Sequence, residues 1–182
     1  MPLPTALQLT YKTVWQIPNE TVKKDALELW RRYNALPEGQ EEDRLKLVCV
    51  VAYTKDHDLV GVSTILIEYC HTVQAKIALF RCLVKEEYRR SGVATELAVR
   101  CKGVMAAWST THPAANLAGF GTIVESPHLT RLTTRPIWPR TGMILVGHTQ
   151  RGLQIRLVWF EHAVLQSIVK KREEIRYDRK LD

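Results

Sequence analysis

The spacing of hydrophobic and polar positions divides the first forty residues into a strand, a helix and a loop. Residues 11–17, YKTVWQI, read as a first strand. Asn19 or Thr21 then caps a predicted helix, because the apolar residues that follow recur at helical spacing. Residues 35–43, ALPEGQEED, contain Pro, Gly and four acidic or amide side chains in a row, so we expect a loop.

The middle of the chain predicts a hairpin, a further strand and a long helix. Residues 44–53 and 59–69 are β-rich runs joined by the polar turn TKDHD, which is a strong hairpin signal. A strand follows over residues 76–84, KIALFRCLV. From Gly92 the apolar period changes to about 3.6 residues, which predicts a helix that ends just before Pro113.

The last third is again rich in β signals. Three strands are predicted, at residues 119–125, 142–149 and 153–162, the last two joined as a hairpin by QRG. Residues 126–138, SPHLTRLTTRPIW, suit a short helix or an irregular linker, and residues 163–177 suit a terminal helix. Helices inserted among antiparallel hairpins predict an α/β (α+β) fold, with a mixed, mostly antiparallel sheet of about seven strands flanked by helices.

Length and composition indicate one globular domain. A chain of 182 residues with 46% apolar and 25% charged residues suits a single domain over residues 1–182. Within it we expect residues 161–182 to form a C-terminal helical extension, which could pack on the domain or mediate a homodimer. The formal charge of +7 permits a phosphate-bearing partner, although charge alone fits an ordinary solvated surface better.

The cysteines and the apolar stretches bear on location. The four cysteines lie within apolar patterns and form no C-x-x-C pair, as small buried hydrophobic residues do. No signal-peptide pattern opens the chain, and no apolar stretch approaches the eighteen or so residues that a membrane helix needs. We therefore expect a cytoplasmic protein with no membrane contact.

The stretch RRSGVA, at the start of the long helix, has the features of a phosphate cradle. A helix start exposes backbone N–H groups and the positive end of the helix dipole. Gly92 leaves room for an anion to approach these groups, and Ala94 is the next smallest choice. Arg89 and Arg90 supply guanidinium groups, while Ser91 could cap the helix or donate a hydroxyl. Taken alone, the six residues fit an arginine-rich helix start on any surface.

The wider segment LVKEEYRRSGVATEL, residues 83–97, resembles the acyl-CoA-binding segment of the GNAT superfamily of N-acetyltransferases. That pattern is a strand ending in Val, a short turn, then Arg/Gln-x-x-Gly-x-Gly/Ala. Here Val84 ends the strand, and Arg89, Gly92 and Ala94 occupy the three signature places. The order of elements over residues 11 to 160 is similar as well, although only 83–97 match closely.

The resemblance implies acetyl-CoA as co-substrate and a set of residues that bind it. The diphosphate would contact the main chain of seven consecutive residues: Arg89, Arg90, Ser91, Gly92, Val93, Ala94 and Thr95. The main chain at Leu83 and Val84 would pair with the pantetheine arm like an added strand. The strands FRCLV and GFGTIVE would splay apart so that the thioester reaches between them.

The resemblance leaves the catalytic groups open. The tyrosine that acts as acid in the family falls here at Trp138, whose indole has no proton to give at neutral pH. A glutamate found midway along the motif strand in some members is Ala78 here. We take Glu125 and His128 as the candidate bases, because they follow a strand that would flank the thioester. A second set lies at the end of the hairpin: Glu68, Tyr69 and His71.

The sequence thus predicts an N-acetyltransferase that acts on an amine. The acceptor could be a small molecule, a protein or an aminoacyl-tRNA. An alternative is a module that holds acyl-CoA without transfer and acts through protein partners, which Trp138 favours. A nucleic-acid-binding protein is the third hypothesis, but the chain lacks a zinc knuckle, a helix-turn-helix and interleaved aromatic and basic residues.

Overall fold

A computed structural model describes residues 8–126 and 135–165, which contain a single seven-stranded sheet. The strands are β1 (Leu9–Thr13), β2 (Val48–Thr54), β3 (Leu59–Cys70), β4 (Ala75–Val84), β5 (Leu117–Ile123), β6 (Ile144–His148) and β7 (Gln154–Trp159). Their order is β1-β2-β3-β4-β5-β7-β6, and every neighbouring pair is antiparallel except β4 and β5. The mixed, mostly antiparallel sheet predicted from the sequence is confirmed.

In the described part of the chain, three α-helices accompany the sheet: α1 (Glu20–Arg32), α2 (Glu41–Leu45) and α3 (Val93–Thr111). The Asn19 side chain accepts a 2.9 Å hydrogen bond from the amide of Val22, so Asn19 is the cap of α1. α2 covers the end of the predicted loop at residues 35–43 and the first two residues of the strand predicted at 44–53. The pattern missed it because none of its side chains is buried, so it carries no apolar period.

The sheet has a hydrophobic core on each face. On one face α1 buries Val22, Leu29 and Trp30 against β2 and β3. On the other face α3 packs Leu97, Cys101 and Met105 against the strands from β2 to β5. Because α3 connects β4 to its parallel neighbour β5, the start of the helix lies directly beyond the end of β4.

Several predicted boundaries differ from the structure. The strand predicted at residues 44–53 begins at Val48, because Arg44 and Leu45 belong to α2. The first strand was expected at residues 11–17, but β1 ends at Thr13, because Gln16 turns the chain with a φ of 67°. The C-terminal helix was expected from residue 163, but residues 161–165 form a turn and an irregular stretch. The remainder of that helix, and residues 127–134 of the predicted linker, lie outside the described residues. Across residues 8–126 and 135–165, no helix is long and apolar enough to span a membrane.

Candidate functional site

The two parallel strands of the sheet separate before they end. Their pairing stops at Leu79 and Gly121, yet β4 continues to Val84 and β5 continues to Ile123. The opening therefore lies between FRCLV and GFGTIV, where the sequence resemblance implied it. At the base of the opening, the Thr122 hydroxyl donates a 2.9 Å hydrogen bond to the carbonyl of Phe80, which links β5 to β4 beyond their last paired residues.

A cavity of about 670 Å³ connects this opening with the start of α3. One side is formed by β4 and the first two turns of the helix, with Phe80, Cys82, Ala94, Thr95 and Ala98. The other side is formed by the end of β5 and by residues 138–143, which precede β6. The cavity therefore extends from the N-terminal turns of α3 to the gap between β4 and β5.

The backbone at the start of α3 presents unpaired donors to this cavity. The first helical hydrogen bond runs from the amide of Glu96 to the carbonyl of Gly92, so the amides of residues 93–95 have no backbone acceptor in the described chain. Arg90 and Gly92 have φ values of 65° and 91°, both left-handed. Alternating left-handed residues turn successive N–H groups toward one point, which makes a concave anion-binding surface.

The side chains of the cradle are arranged differently from the sequence prediction. The Arg89 Nε donates to the carbonyl of Val84 at 3.1 Å, and the Arg89 guanidinium lies 5.4 Å from the centre of the Tyr33 ring. The Ser91 hydroxyl donates to the carbonyl of Tyr88 at 2.6 Å. The Ser91 hydroxyl therefore does not cap α3, and Nε of Arg89 is bound to the backbone in this conformation.

The other predicted binding residues lie around the same point. Val93 is buried in the core, so only its main chain faces outward, while Ala94 and Thr95 line the cavity. Val84 is also buried, and Leu83 packs its side chain against the α1 core.

Arg140 reaches this site from a distant part of the sequence. Its Nη1 lies 3.9 Å from the position that a Cβ at Gly92 would occupy, and its Nη2 lies 2.8 Å from Oε2 of Glu96. Arg100 binds the other oxygen of Glu96, also at 2.8 Å. No local sequence pattern points to Arg140, because more than forty residues separate it from the helix start.

Trp138 lines the far wall of the cavity and stacks on a buried arginine. The Arg156 guanidinium lies 4.6 Å from the centre of the indole ring and donates to the carbonyls of Arg135 and Pro136. The indole of Trp138 has no group that gives up a proton at neutral pH. Its Nε1 is buried without a hydrogen-bond partner among the described residues. Burial lowers the pKa of the Arg156 guanidinium.

Glu125 lies at the mouth of the opening, as the sequence predicted. Its Oε1 forms a 2.8 Å ion pair with Nη2 of Arg81, and both side chains are about half exposed. The pair spans the gap between the end of β4 and the end of β5. The other candidate base, His128, lies outside the described residues.

The second set of candidate bases does not reach the cavity. Glu68, Tyr69 and His71 follow β3 to the hairpin at the opposite end of β4, and none of the three lines the cavity. Ala78 is fully buried in the core between the sheet and α3. No group of three or more potential metal ligands occurs in the described part of the chain.

Comparisons with known proteins find structural similarity only. No protein-family model matches the chain, and no curated protein matches its sequence. A GNAT-family N-acetyltransferase of Escherichia coli, YhbS, solved in complex with CoA, superposes with a TM-score of 0.56 at 17% identity over 88% of this chain and 86% of that one. A GNAT-family acetyltransferase of Listeria monocytogenes gives a TM-score of 0.56 at 12% identity, over 84% of this chain and 95% of that one.

A third similar structure is that of AtaT complexed with acetyl-methionyl-tRNAfMet. Its TM-score is 0.54 at 11% identity, over 81% of this chain and 94% of that one. Similarity at these identities defines architecture. This chain has the fold of the GNAT acetyltransferases.

Proposed function

We propose that this protein is an N-acetyltransferase that moves an acetyl group from acetyl-CoA to an amine. The observation that carries the proposal is the continuous cavity from the unpaired amides of α3 to the opening between β4 and β5. The diphosphate of acetyl-CoA would bind at the α3 end of the cavity, and its thioester would lie at the opening between the strands. The fold that the chain shares with acetyltransferases supports the same function.

The residues of the cradle fit the diphosphate of CoA. The amides of residues 93–95 are unpaired, and the space beside Gly92 is open, with Arg140 Nη1 3.9 Å from where a Cβ would lie. We expect these amides to hold the diphosphate, with Arg90 and Arg140 supplying positive charge. When bound, acetyl-CoA supplies an activated acyl group, and this chain supplies its position and the handling of the amine proton.

Deprotonation of the amine falls to Glu125 in this proposal. An alkyl amine with a pKa near 10.4 is about 3.4 units from neutrality at pH 7, which costs about 4.6 kcal/mol. A carboxylate at the mouth of the opening can accept that proton directly or through water. We expect Glu125 to take this role when its ion pair with Arg81 opens.

Trp138 favours a second candidate function, in which the protein binds acyl-CoA without transferring the acyl group. A stacked indole in the place of the family's acid leaves the departing thiolate without a proton donor from this position. Such a module would act through protein partners. Tight CoA binding without turnover on any amine is the outcome that would favour it.

The acceptor is proposed as a class. It could be a small amine, a protein amine or an aminoacyl-tRNA. The structural similarity to AtaT, which was solved with an acetylated tRNA, supports including aminoacyl-tRNA among the acceptors to test. A cytoplasmic location remains our prediction, consistent with the four free cysteines. A homodimer also remains a prediction.

The test is the release of free CoA thiol from acetyl-CoA in the presence of a panel of small amines, peptides and aminoacyl-tRNA. We expect turnover with at least one acceptor class. Glu125→Gln should then lower kcat by about 100-fold or more without weakening CoA binding, since it removes the proton acceptor alone. Glu38→Gln, in an exposed turn outside the cavity, is the matched control. Unchanged turnover in Glu125→Gln would remove Glu125 from the mechanism.

A further inference from the structure

Two arginines lie on the face of the sheet opposite α3, at the mouth of the opening. Arg81 lies on β4 beyond its last pair with β5, in a cross-strand row with Thr64 and Val48. Arg44 lies on α2, four residues before Val48, and the amide of Ile65 binds the carbonyl of the intervening Leu47 at 2.8 Å. Arg44 therefore lies near the Val48 end of this row, two strands away from Arg81 but close enough for the charge of Arg81 to act on its guanidinium.

The side-chain directions agree with this placement. Leu83, two residues beyond Arg81 on the same strand, packs into the α1 core, and Leu45 of α2 packs into that core too. Since alternate residues of a strand share a face, Arg81 points to the side that carries α1 and α2. An acceptor entering from this side would meet the opening opposite the start of α3.

The charges at the mouth do not balance. The Arg44 side chain makes no hydrogen bond or ion pair with the described residues, although Arg44 is only partly exposed. Burial lowers the pKa of its guanidinium, and the nearby charge of Arg81 lowers this pKa further, whereas Glu125 opposes the effect. Two guanidinium groups thus share one carboxylate. A partly desolvated cation beside a like charge is unfavourable until an anion joins it.

We propose that Arg44 and Arg81 bind a phosphate group that the acceptor carries close to its amine. This inference rests on the proposed function for its choice of ligand, because the mouth is where an acceptor would enter. A phosphate dianion matches two guanidinium forks in charge and in geometry, whereas a single carboxylate is already present as Glu125. The acceptor is accordingly a phosphorylated amine, either a small molecule or an amine-bearing nucleic acid.

Phosphate binding would also act on Glu125. The Arg81 guanidinium now holds Glu125 at 2.8 Å, so a phosphate that takes over this guanidinium releases the carboxylate next to the incoming amine. The acceptor itself thereby frees the group that accepts its proton. No covalent change is needed beyond the acyl transfer already proposed.

The first experiment measures binding without acetyl-CoA. Isothermal titration compares 2-aminoethyl phosphate, 2-aminoethanol and a short RNA hairpin on the full chain and on three variants. We expect 2-aminoethyl phosphate or the RNA to bind, and Arg44→Gln and Arg81→Gln each to weaken that binding at least about tenfold. Lys55→Gln removes one exposed positive charge in the turn at the other end of β2 and should change binding less than about twofold.

Each result of the titrations either supports or overturns the proposed phosphate site. Binding of the small phosphate ester identifies a small phosphorylated amine, and binding of RNA alone identifies a nucleic acid. Binding of neither probe overturns the proposal, as does binding that both arginine variants leave unchanged. Unfolding midpoints in urea establish that the variants are folded.

A second measurement separates this inference from the proposed function. Thiol release with acetyl-CoA is compared for 2-aminoethyl phosphate and 2-aminoethanol. If neither is acetylated but the phosphate ester still binds in an arginine-dependent way, the anion site stands and the acetyltransferase proposal fails for these acceptors. If both amines are acetylated equally and the arginine variants change neither rate, the acetyltransferase proposal stands and the anion site is wrong.

Discussion

The conformation of Gly92 controls access to the amides at the start of α3. Its φ of 91° costs an L-residue about 1–2 kcal/mol, but a Cβ there would meet nothing nearer than Arg140 Nη1 at 3.9 Å. Gly92→Ala therefore adds strain without filling the cradle. An aspartate at this cap position would in addition accept hydrogen bonds from the amides of residues 94 and 95, in place of a phosphate.

We expect Gly92→Asp to bind CoA at least about tenfold more weakly than Gly92→Ala, since it adds a charge that competes with the diphosphate. Isothermal titration measures the affinities, and urea unfolding corrects for any loss of folded protein. Equal affinity of the two variants would mean that CoA does not bind at the helix start.

The side chain at position 138 determines whether this wall of the cavity can donate a proton to the leaving thiolate. Replacing it by tyrosine keeps an aromatic ring over Arg156 and adds a hydroxyl, whereas phenylalanine keeps the ring alone. We expect Trp138→Tyr to turn over about tenfold or more faster than Trp138→Phe, because a proton donor then faces the leaving thiolate. Single-turnover kinetics measure the rates. Equal rates would indicate that departure of the thiolate is not limited by protonation.

At the scale of elements, β5 depends on a glycine for its approach to β7. A Cβ at Gly121 would lie 2.6 Å from the carbonyl oxygen of Arg156 and 3.0 Å from Cβ of Leu157. We expect Gly121→Ala to lower the free energy of unfolding by about 1–3 kcal/mol, because backbone must shift to remove the overlap. Urea unfolding measures it.

Gly103 provides the opposite case for the same substitution. It lies within α3, and a Cβ there meets nothing within 4 Å. Gly103→Ala should raise the free energy of unfolding by about 0.5–1 kcal/mol, because alanine favours the helix. If both alanine variants shifted stability in the same direction, the close β5–β7 approach would be in doubt.

The elements that the sequence predicts well are those with a buried face. β2 is buried over six of its seven residues and α3 carries a regular buried stripe, so hydrophobic periodicity located both. α2 has no fully buried residue, and the pattern missed it. The parts of the candidate site likewise differ in how well the sequence predicts them. The helix start is a local motif, whereas Arg140–Glu96 and Arg81–Glu125 each join residues 44 positions apart, and no local pattern encodes such pairs.

At the scale of the whole molecule, the sheet separates two approaches to one opening. The start of α3 and Arg140 lie on one face, and Arg44 with α2 lies on the other. The strands part beyond Leu79, so the gap there connects the two faces of the sheet. In the proposed reaction, acetyl-CoA and the acceptor would approach this gap from opposite faces.

Binding of CoA should be visible as stability of the entire fold. A ligand at 100 times its Kd adds about 2.7 kcal/mol to the folded state, if it does not bind the unfolded chain. For a chain of 150–250 residues, each kcal/mol raises Tm by about 2–4 °C, so we expect CoA to raise Tm by about 5–10 °C. Lys55→Gln should show the full rise, because its charge lies away from the cavity, and Gly92→Asp should show little at the same concentration. Scanning calorimetry at several CoA concentrations measures the effect, and a Tm that stays constant across them would refute CoA binding by the native chain.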